Sequence, residues 1–428
     1  MLTMPDSAWE TLRQEELTQL REEGKDLAAL YPDECLASDA SRLWEVGVTL
    51  PFRPDWPYDE PSDLAEITAA RPNLPPAFPV RREVLPSRLH GAWLGRCAGC
   101  MLGKPVEGAT REHLRLLLGT VGEYPLRDYF PAIPSPQEGV RELPADSPLV
   151  RGNISRSERD DDTDYPVVNL AVWQAHGPDF TPRQMADGWL TYLPYWQVYT
   201  AERAAYRNFV LGLGPPASAY PFNPYREWIG AQIRADLWGY VAPGQPALAA
   251  ELAWRDACIS HTRNGIYGEM FFAALIAACL ATSDLAEALE AALATIPARS
   301  RFAEMVADCL TWYALDGDWE RTCDRVQGKY GEYHPVHTLN NAALVLIALL
   351  YAQGDFTAAI GLAVQGGWDT DCNGATAGSV WGALYGAEAI PTSWTAPLHD
   401  TLISAVFGRG ENRISALAEE TAAAVVLP

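Results

Sequence analysis

Residues 91–103, GAWLGRCAGCMLG, decide how this chain folds, together with a counterpart at residues 374–386, GATAGSVWGALYG. Each stretch carries glycine at every fourth position. On an α-helix, positions i and i+4 lie on the same face, so each stretch presents a stripe without side chains. Glycine costs a helix roughly 1 kcal/mol per residue relative to alanine, so the repeated glycines require a geometric reason. We predict that each stripe packs closely against another backbone, around one shared site.

Two runs of oxygen-bearing side chains accompany the glycine stripes. Asp160-Asp161-Asp162-Thr163 lies between the two stretches, and Asp369-Thr370-Asp371 leads directly into the second one. Alone, the first run could be a solvated helix N-terminus, where the helix dipole favours aspartate. The second run places carboxylates at the head of a tightly packed helix. Together they predict a split metal site for Mg²⁺, Mn²⁺ or Ca²⁺, since these cations prefer oxygen ligands.

The composition limits the possible partners of this chain. The chain has 428 residues, 48% of them hydrophobic, and a formal charge of −23. Such a charge argues against binding to a nucleic-acid backbone or an anionic membrane, because Lys and Arg supply most of that affinity. The N-terminus lacks a basic segment followed by an apolar one, so no secretory signal is predicted and a cytoplasmic location is expected. The eight scattered cysteines are expected to be reduced.

The chain divides into two parts at residue 86. Residues 8–30 have helical spacing, and nine prolines then fall between Pro51 and Pro86, which predicts an extended connector that wraps the core or links the N-terminal helix to it. We therefore expect residues 1–86 to form a helix and a proline-rich connector, and residues 87–428 to form one compact multi-helix all-α domain. A second proline-rich stretch, 125–148, is predicted to be a surface loop near the mouth of the site.

The motifs resemble those of the ADP-ribosylglycohydrolases, also called ADP-ribosyl hydrolases, over most of residues 87–425. The resemblance rests on Gly91-Ala-x-x-Gly95-x-x-x-Gly99-x-x-x-Gly103-Lys-Pro-Val-Glu107, on Asp-Asp-Thr at 161–163, and on Gly-Gly-Trp-Asp-Thr-Asp followed by the second glycine stretch. It implies an all-α fold, two divalent cations and hydrolysis of the bond between an acceptor and C1 of ADP-ribose. Mg²⁺ is the expected cation, with Mn²⁺ as the alternative.

The candidate site residues follow from these motifs and their neighbours. The expected metal ligands are Asp160, Asp161, Asp162, Asp369 and Asp371. Glu107 or a metal-site aspartate such as Asp162 is expected to act as the base, and the expected substrate contacts are Gly103, His261 and Asn340. Two positions depart from the family pattern: Asp160 stands where many members have a threonine ligand, and Cys372 stands where members commonly have a further threonine.

Three functions remain open at this point. The first hypothesis is a metal-dependent hydrolase that cleaves the glycosidic bond of an ADP-ribosyl group. The second is a hydrolase of another ribosylated small molecule, such as a nucleoside or modified nucleotide, on the same metal site. The third is a non-catalytic relative resembling lens crystallins. Retention of Glu107 and both acidic runs favours catalysis, because a non-enzyme could lose them without losing its fold.

Overall fold

Helices make up nearly all the regular structure in the computed structural model, which describes residues 6–29, 41–134, 136 and 139–427. This confirms the predicted all-α class. The helices of the first half are α1 (Asp6–Glu22), α2 (Ser41–Thr49), α3 (Leu64–Ala70), α4 (Leu85–Gly103), α5 (Arg111–Val121), α6 (Asp161–His176), α7 (Pro182–Tyr192) and α8 (Thr200–Val210). Those of the second half are α9 (Ala235–Val241), α10 (Pro246–Ala257), α11 (Asn264–Cys279), α12 (Leu285–Leu293), α13 (Arg301–Asp316), α14 (Trp319–Tyr330), α15 (Thr338–Ala352), α16 (Phe356–Gln365), α17 (Thr370–Tyr385), α18 (Thr392–Thr395) and α19 (Ile414–Ala424).

Helices α4 and α17 form an antiparallel pair at the centre of the molecule, and their glycine stripes face each other. Gly95 packs on the backbone of Gly378, and Gly99 packs on that of Gly374. At the end of the pair, a Cβ atom on Gly91 would lie only 2.6 Å from the carbonyl carbon of Gly386. No side chain larger than hydrogen fits between backbones this close. The predicted close packing of the two stripes is confirmed.

The antiparallel pairing decides where the acidic runs lie. Gly103, the last residue of α4, packs against the backbone of Thr370, the first residue of α17. The Thr370 hydroxyl also donates a hydrogen bond to the Gly103 carbonyl oxygen at 2.8 Å. The loop that follows α4 therefore reaches the start of α17, and Glu107 reaches Asp369.

A small β-sheet, absent from the sequence prediction, holds the segment before α6. Strand β1 (Thr401–Ile403) pairs antiparallel with β2 (Glu411–Arg413), with Leu402 opposite Asn412. Ser157 joins the outer edge of β1: its N–H donates to the Thr401 carbonyl at 2.8 Å, and its carbonyl accepts from Ile403 N–H at 3.0 Å. This contact fixes the chain three residues before Asp160.

The N-terminal extension wraps the helical core, which was one of the two predicted possibilities. In the proline-rich stretch, Asp59 N–H donates to the Arg299 carbonyl at 2.9 Å, and Phe78 N–H donates to the Gly244 carbonyl at 2.8 Å. Helix α3 corrects the expectation of a fully extended connector. It fits in the proline-free interval between Pro61 and Pro72, where Asp63 caps its N-terminus.

The second proline-rich stretch, 125–148, lies beside the loop after α4, apart from residues 135, 137 and 138, which lie outside the described part. Arg141 donates a hydrogen bond to the carbonyl oxygen of Glu107 at 2.9 Å. Leu126 and Phe130 are nevertheless buried in the core, so the stretch is only partly a surface loop.

The described cysteines are all buried free thiols; Cys35 lies outside the described residues. Across that same part of the chain, we find no helix of sufficient length and apolarity to span a bilayer.

Candidate metal centre and active site

Three chain segments bring carboxylates to one place. Asp160 caps the N-terminus of α6, and Asp369 precedes the first residue of α17, so both predicted helix starts are confirmed. Glu107 follows the short 3₁₀ turn Lys104–Val106. Its loop pairs with the segment before α17, because Gly108 N–H donates to the Trp368 carbonyl at 2.9 Å.

The carboxylates form two groups with the spacing of metal ligands. Asp162, Asp371 and Cys372 make one group, and Glu107, Asp369 and Asp371 make the other. Within each group, the candidate ligand atoms lie within 4.8 Å of one another. Asp371 belongs to both groups. Its Oδ1 atom is buried and has no hydrogen-bond partner, which is the condition expected of an oxygen that binds a cation.

The electrostatics of the cluster favour a bound cation. Burial raises the pKa of Asp371 well above its usual range, and the nearby charges of Asp369, Asp160 and Glu107 raise it further. Glu107 is exposed as a residue, but desolvation of its carboxyl group within the cluster is the main cause of its raised pKa, and the charges of Asp369 and Asp160 add to it. Carboxylates so close together repel one another, so either protons or cations must neutralise part of their charge.

Arg96 fixes the orientation of Asp162, a role that the sequence analysis missed. The fully buried Arg96 donates from Nη2 to Asp162 Oδ1 at 3.0 Å and from Nε to the Asp162 carbonyl at 2.6 Å. Its Nη1 donates to Asp236 Oδ2 at 2.6 Å, so its charge is shared by two carboxylates. In the sequence, this role could have been indicated by the position of Arg96, which is the lone charged residue of the first glycine stretch and has only small or apolar neighbours.

Asp160 and Asp161 lie beside the two ligand groups but outside them. Asp160 Oδ1 accepts the Asp162 N–H at 3.0 Å, and its Oδ2 pairs with the Lys104 ammonium group. Asp161 is half-buried in the first turn of α6. Burial, followed by the charges of Asp160 and Asp162, raises the pKa of Asp161 well above its usual range. Metal binding by Asp160 and Asp161 stays a prediction.

Asn341, which was not among the predicted site residues, is hydrogen-bonded to the start of α17. Its Oδ1 accepts the Asp369 N–H at 3.2 Å and the Asn373 side-chain amide at 2.8 Å. Asn340 is buried, and its side chain donates to the His334 carbonyl at 3.0 Å. The structure places Asn340 next to the residue that supports the acidic cluster. Substrate contact by Asn340 stays a prediction.

Gly103 lies at the C-terminal end of α4, where a helix presents carbonyl oxygens rather than free N–H groups. Its contact with Thr370 gives it a packing role. Substrate contact by Gly103 stays a prediction.

His261 lies in a buried ion network centred on Arg234. Its Nδ1 is 2.8 Å from the Ser260 hydroxyl, and its Nε2 is 3.8 Å from Glu202 Oε1. Burial and the Arg234 charge lower the pKa of His261 well below its usual range, so the ring is neutral. Its Nε2 atom is buried without a hydrogen-bond partner. The predicted substrate contact stays a prediction.

The comparison with models of known protein families agrees with the motifs. The family model for ADP-ribosylglycohydrolases matches residues 81–426, and this chain belongs to that family. The family is metal-dependent and consists of glycosidase-type hydrolases. A solved structure described as an ADP-ribosylglycohydrolase-related protein complex is 23% identical, with a TM-score of 0.48, over 80% of this chain and 100% of that one. No curated protein matches the chain.

Proposed function

We propose that this chain is a divalent-metal-dependent hydrolase that cleaves the glycosidic bond at C1 of an ADP-ribosyl group. The observation that carries the proposal is that Glu107, Asp162 and Asp369 fall into two ligand groups that share Asp371, whose Oδ1 atom is buried without a hydrogen-bond partner. The family match supplies the glycosidase class. The acidic cluster supplies the means to bind cations, and cations would allow a strongly acidic protein to accept an anionic substrate.

Two cations fit the arrangement, because two ligand groups share Asp371 as a common member. Mg²⁺ is the expected ion, with Mn²⁺ as the alternative, since most of the donors are carboxylate oxygens. When bound, the cations would offset the carboxylate charge and hold the ribose hydroxyls. Asp160 and Asp161 would contribute negative charge beside the groups, and Asp160 also holds Lys104.

Glu107 is the better candidate for the base. Both carboxylate oxygens of Asp162 are engaged, Oδ1 by Arg96 at 3.0 Å and Oδ2 by the Cys372 thiol at 3.1 Å. Glu107 is exposed, and its loop is held by backbone contacts rather than through its carboxylate. Its raised pKa makes it a stronger base than an ordinary glutamate. We assign Glu107 to move the proton of the attacking water, and Asp162 to hold the cluster in place.

The expected partner is an ADP-ribosylated or otherwise ribosylated substrate. Carboxylates beside C1 favour the positive charge that develops there when the acceptor leaves. The charge of −23 argues against a nucleic-acid backbone or an anionic membrane as partner. We also propose that the protein is located in the cytoplasm.

Calorimetry on metal-stripped protein tests this proposal. ADP-ribose is titrated with and without Mg²⁺ or Mn²⁺, using the wild type, Asp369→Ala and the exposed Asp179→Ala as a matched control. We expect metal-dependent binding that Asp369→Ala abolishes and Asp179→Ala leaves intact.

Absence of metal-dependent binding with both cations would overturn the ADP-ribosyl proposal. Release of ADP-ribose from ADP-ribosylated acceptors is the next measurement. There we expect Glu107→Gln to lower kcat at least a hundredfold, because the amide cannot accept the proton of the attacking water.

A further inference from the structure

A cavity of about 400 Å³ lies between the N-terminal extension and helix α8. It is lined by Leu12 and Glu15 of α1, by Arg203 and Arg207 of α8, and by the rings of Tyr195 and Trp228. We call it the arginine cavity. Its α1 wall lies outside residues 81–426, which the family model matches. The cavity is therefore built partly from residues beyond the family match.

The two arginines of this cavity lack carboxylate partners. Among the described residues, no carboxylate oxygen lies within 4.0 Å of either guanidinium group. Arg203 donates from Nε to the Val198 carbonyl at 2.8 Å, and its terminal nitrogens have no hydrogen-bond partner in the described part of the chain. Arg207 donates to the carbonyls of Pro221 and Phe222, each at 3.1 Å. In a protein of charge −23, two such arginines in one cavity indicate a site for an anion.

Glu15 is the acidic residue that lines the cavity, so an anion would have to bind on the side of the two arginines. The Glu15 carboxylate accepts a hydrogen bond from the Tyr225 hydroxyl at 2.7 Å, which holds it against that ring. Burial lowers the pKa of Arg207, which means that its positive charge is incompletely compensated. A phosphate next to Arg203 and Arg207 would compensate it, because a guanidinium fork matches phosphate oxygens.

Aromatic rings make the cavity suitable for a flat base as well as for an anion. The Tyr195 ring lies 5.9 Å from the Arg203 guanidinium carbon. The Trp228 ring is held rigid by stacking on His334, with ring centroids 4.0 Å apart. A flat base stacks or packs well against such rings, whichever base it is. Arginines and rings together match the chemistry of a base joined to a phosphate.

Tyr199 contacts both Arg203 of the arginine cavity and Arg159 of the segment before α6. The guanidinium carbon of Arg203 is 5.3 Å from the Tyr199 ring centroid, and that of Arg159 is 5.7 Å from it. Arg159 also donates to the Tyr199 hydroxyl at 3.1 Å and directly precedes Asp160. These contacts connect the arginine cavity to the residue immediately before the acidic run Asp160-Asp161-Asp162.

We propose that the arginine cavity binds the base and phosphate of an adenine nucleotide. Where the proposed hydrolase function holds, the nucleotide is the ADP end of the substrate, with the reacting ribose at the acidic cluster. A free nucleotide has the same chemistry and would bind the same residues.

Binding of AMP to metal-stripped full-length protein tests the cavity separately from the acidic cluster. Calorimetry compares the wild type with Arg203→Ala, Arg203→Lys and the exposed Arg183→Ala, which serves as the control. We expect Arg203→Ala to weaken AMP binding at least tenfold, Arg203→Lys to weaken it less, and both Arg183→Ala and Asp369→Ala to leave it unchanged. Equal thermal midpoints of the variants establish that folding is intact.

Absence of AMP binding, or equal affinity in Arg203→Ala, overturns the proposal. Steady-state kinetics then shows whether the cavity binds the ADP end of the substrate or a free nucleotide. If the cavity holds the substrate's own ADP end, Arg203→Ala raises KM about tenfold with little change in kcat, and AMP inhibits competitively. Non-competitive inhibition by AMP assigns the cavity to a free nucleotide. AMP binding without hydrolysis of any ADP-ribosyl bond would refute the proposed function while leaving the cavity assignment standing.

Discussion

At the scale of single residues, Cys372 is the feature that distinguishes this acidic cluster from one built of oxygen ligands alone. Its thiol donates to Asp162 Oδ2 at 3.1 Å and belongs to a ligand group with Asp162 and Asp371. Burial, followed by the charge of Asp162, raises the pKa of the Cys372 thiol well above its usual range. A cation bound there would favour the thiolate, because metals bind the deprotonated sulfur.

The first prediction is therefore a sulfur ligand at this position. Protein loaded with Co²⁺ should show a sulfur-to-cobalt charge-transfer band in the near ultraviolet, and Cys372→Ser should remove it, since serine retains only an oxygen donor. Cys309→Ser is the control, because Cys309 is a buried thiol whose sulfur lies 3.9 Å from the Ala343 carbonyl oxygen. A band that persists in Cys372→Ser would rule out this ligand.

The residues of the site differ in whether the sequence alone can reveal them. Glu107, Asp162, Asp369 and Asp371 were found because they stand in dense, ordered motifs, and the structure brings these four together. The supporting roles of Arg96 and Asn341 were missed. Their hydrogen bonds join helices far apart in the chain, so no local spacing indicates them.

At the scale of the elements, the paired glycine stripes of α4 and α17 determine the position of the site. The second prediction is that Gly95→Ala lowers the free energy of unfolding by roughly 1–3 kcal/mol or more, because the new methyl group would overlap the Gly378 backbone. The higher helix propensity of alanine offsets this by no more than about 1 kcal/mol.

Gly119→Ala in α5 is the matched control for this substitution. Nothing lies within 4 Å of a Cβ atom built on Gly119, so the alanine should stabilise the protein by up to about 1 kcal/mol. Urea denaturation measures both changes. Equal effects of the two substitutions would show that close packing does not explain the stripes.

The N-terminal extension is held by buried ion pairs that its proline content did not indicate. The buried Glu60 accepts from Arg301 Nε at 2.9 Å and also pairs with Arg263. Glu16 of helix α1 and Glu23, the residue that follows this helix, each lie 2.7 Å from Arg226. The proline pattern predicted an extended chain, whereas α3 and these ion pairs depend on the surface that the chain meets.

The third prediction is that Glu60→Gln destabilises the folded protein by roughly 3 kcal/mol or more, since it leaves the charges of Arg263 and Arg301 without their shared carboxylate. Asp59→Asn, at the exposed neighbouring position, should change stability by no more than about 0.5 kcal/mol. Thermal denaturation distinguishes the two variants. A midpoint for Glu60→Gln equal to that of the wild type would mean that the extension is docked by other contacts.

At the scale of the whole molecule, the concentration of carboxylates couples stability to pH and to divalent cations. Burial raises the pKa values of Asp162, Asp369 and Asp371 in the folded state. Between the unfolded-state and folded-state pKa values, the metal-free folded protein therefore binds more protons than the unfolded chain. The free energy of unfolding therefore falls as the pH rises through that range. Bound cations would replace the protons and prevent this loss of stability at higher pH.

The last prediction follows from this exchange of protons for cations. The rise in Tm produced by saturating Mg²⁺ over a chelator should grow from about pH 5 to about pH 8, because protons compete with the cation less as pH rises. Asp371→Asn should abolish most of the rise, since Asp371 belongs to both ligand groups and asparagine carries no charge. A rise that is independent of pH, or one that Asp371→Asn retains in full, would place the cation elsewhere. Because a bound ion stabilises only the folded state, this measurement locates the cation without a substrate.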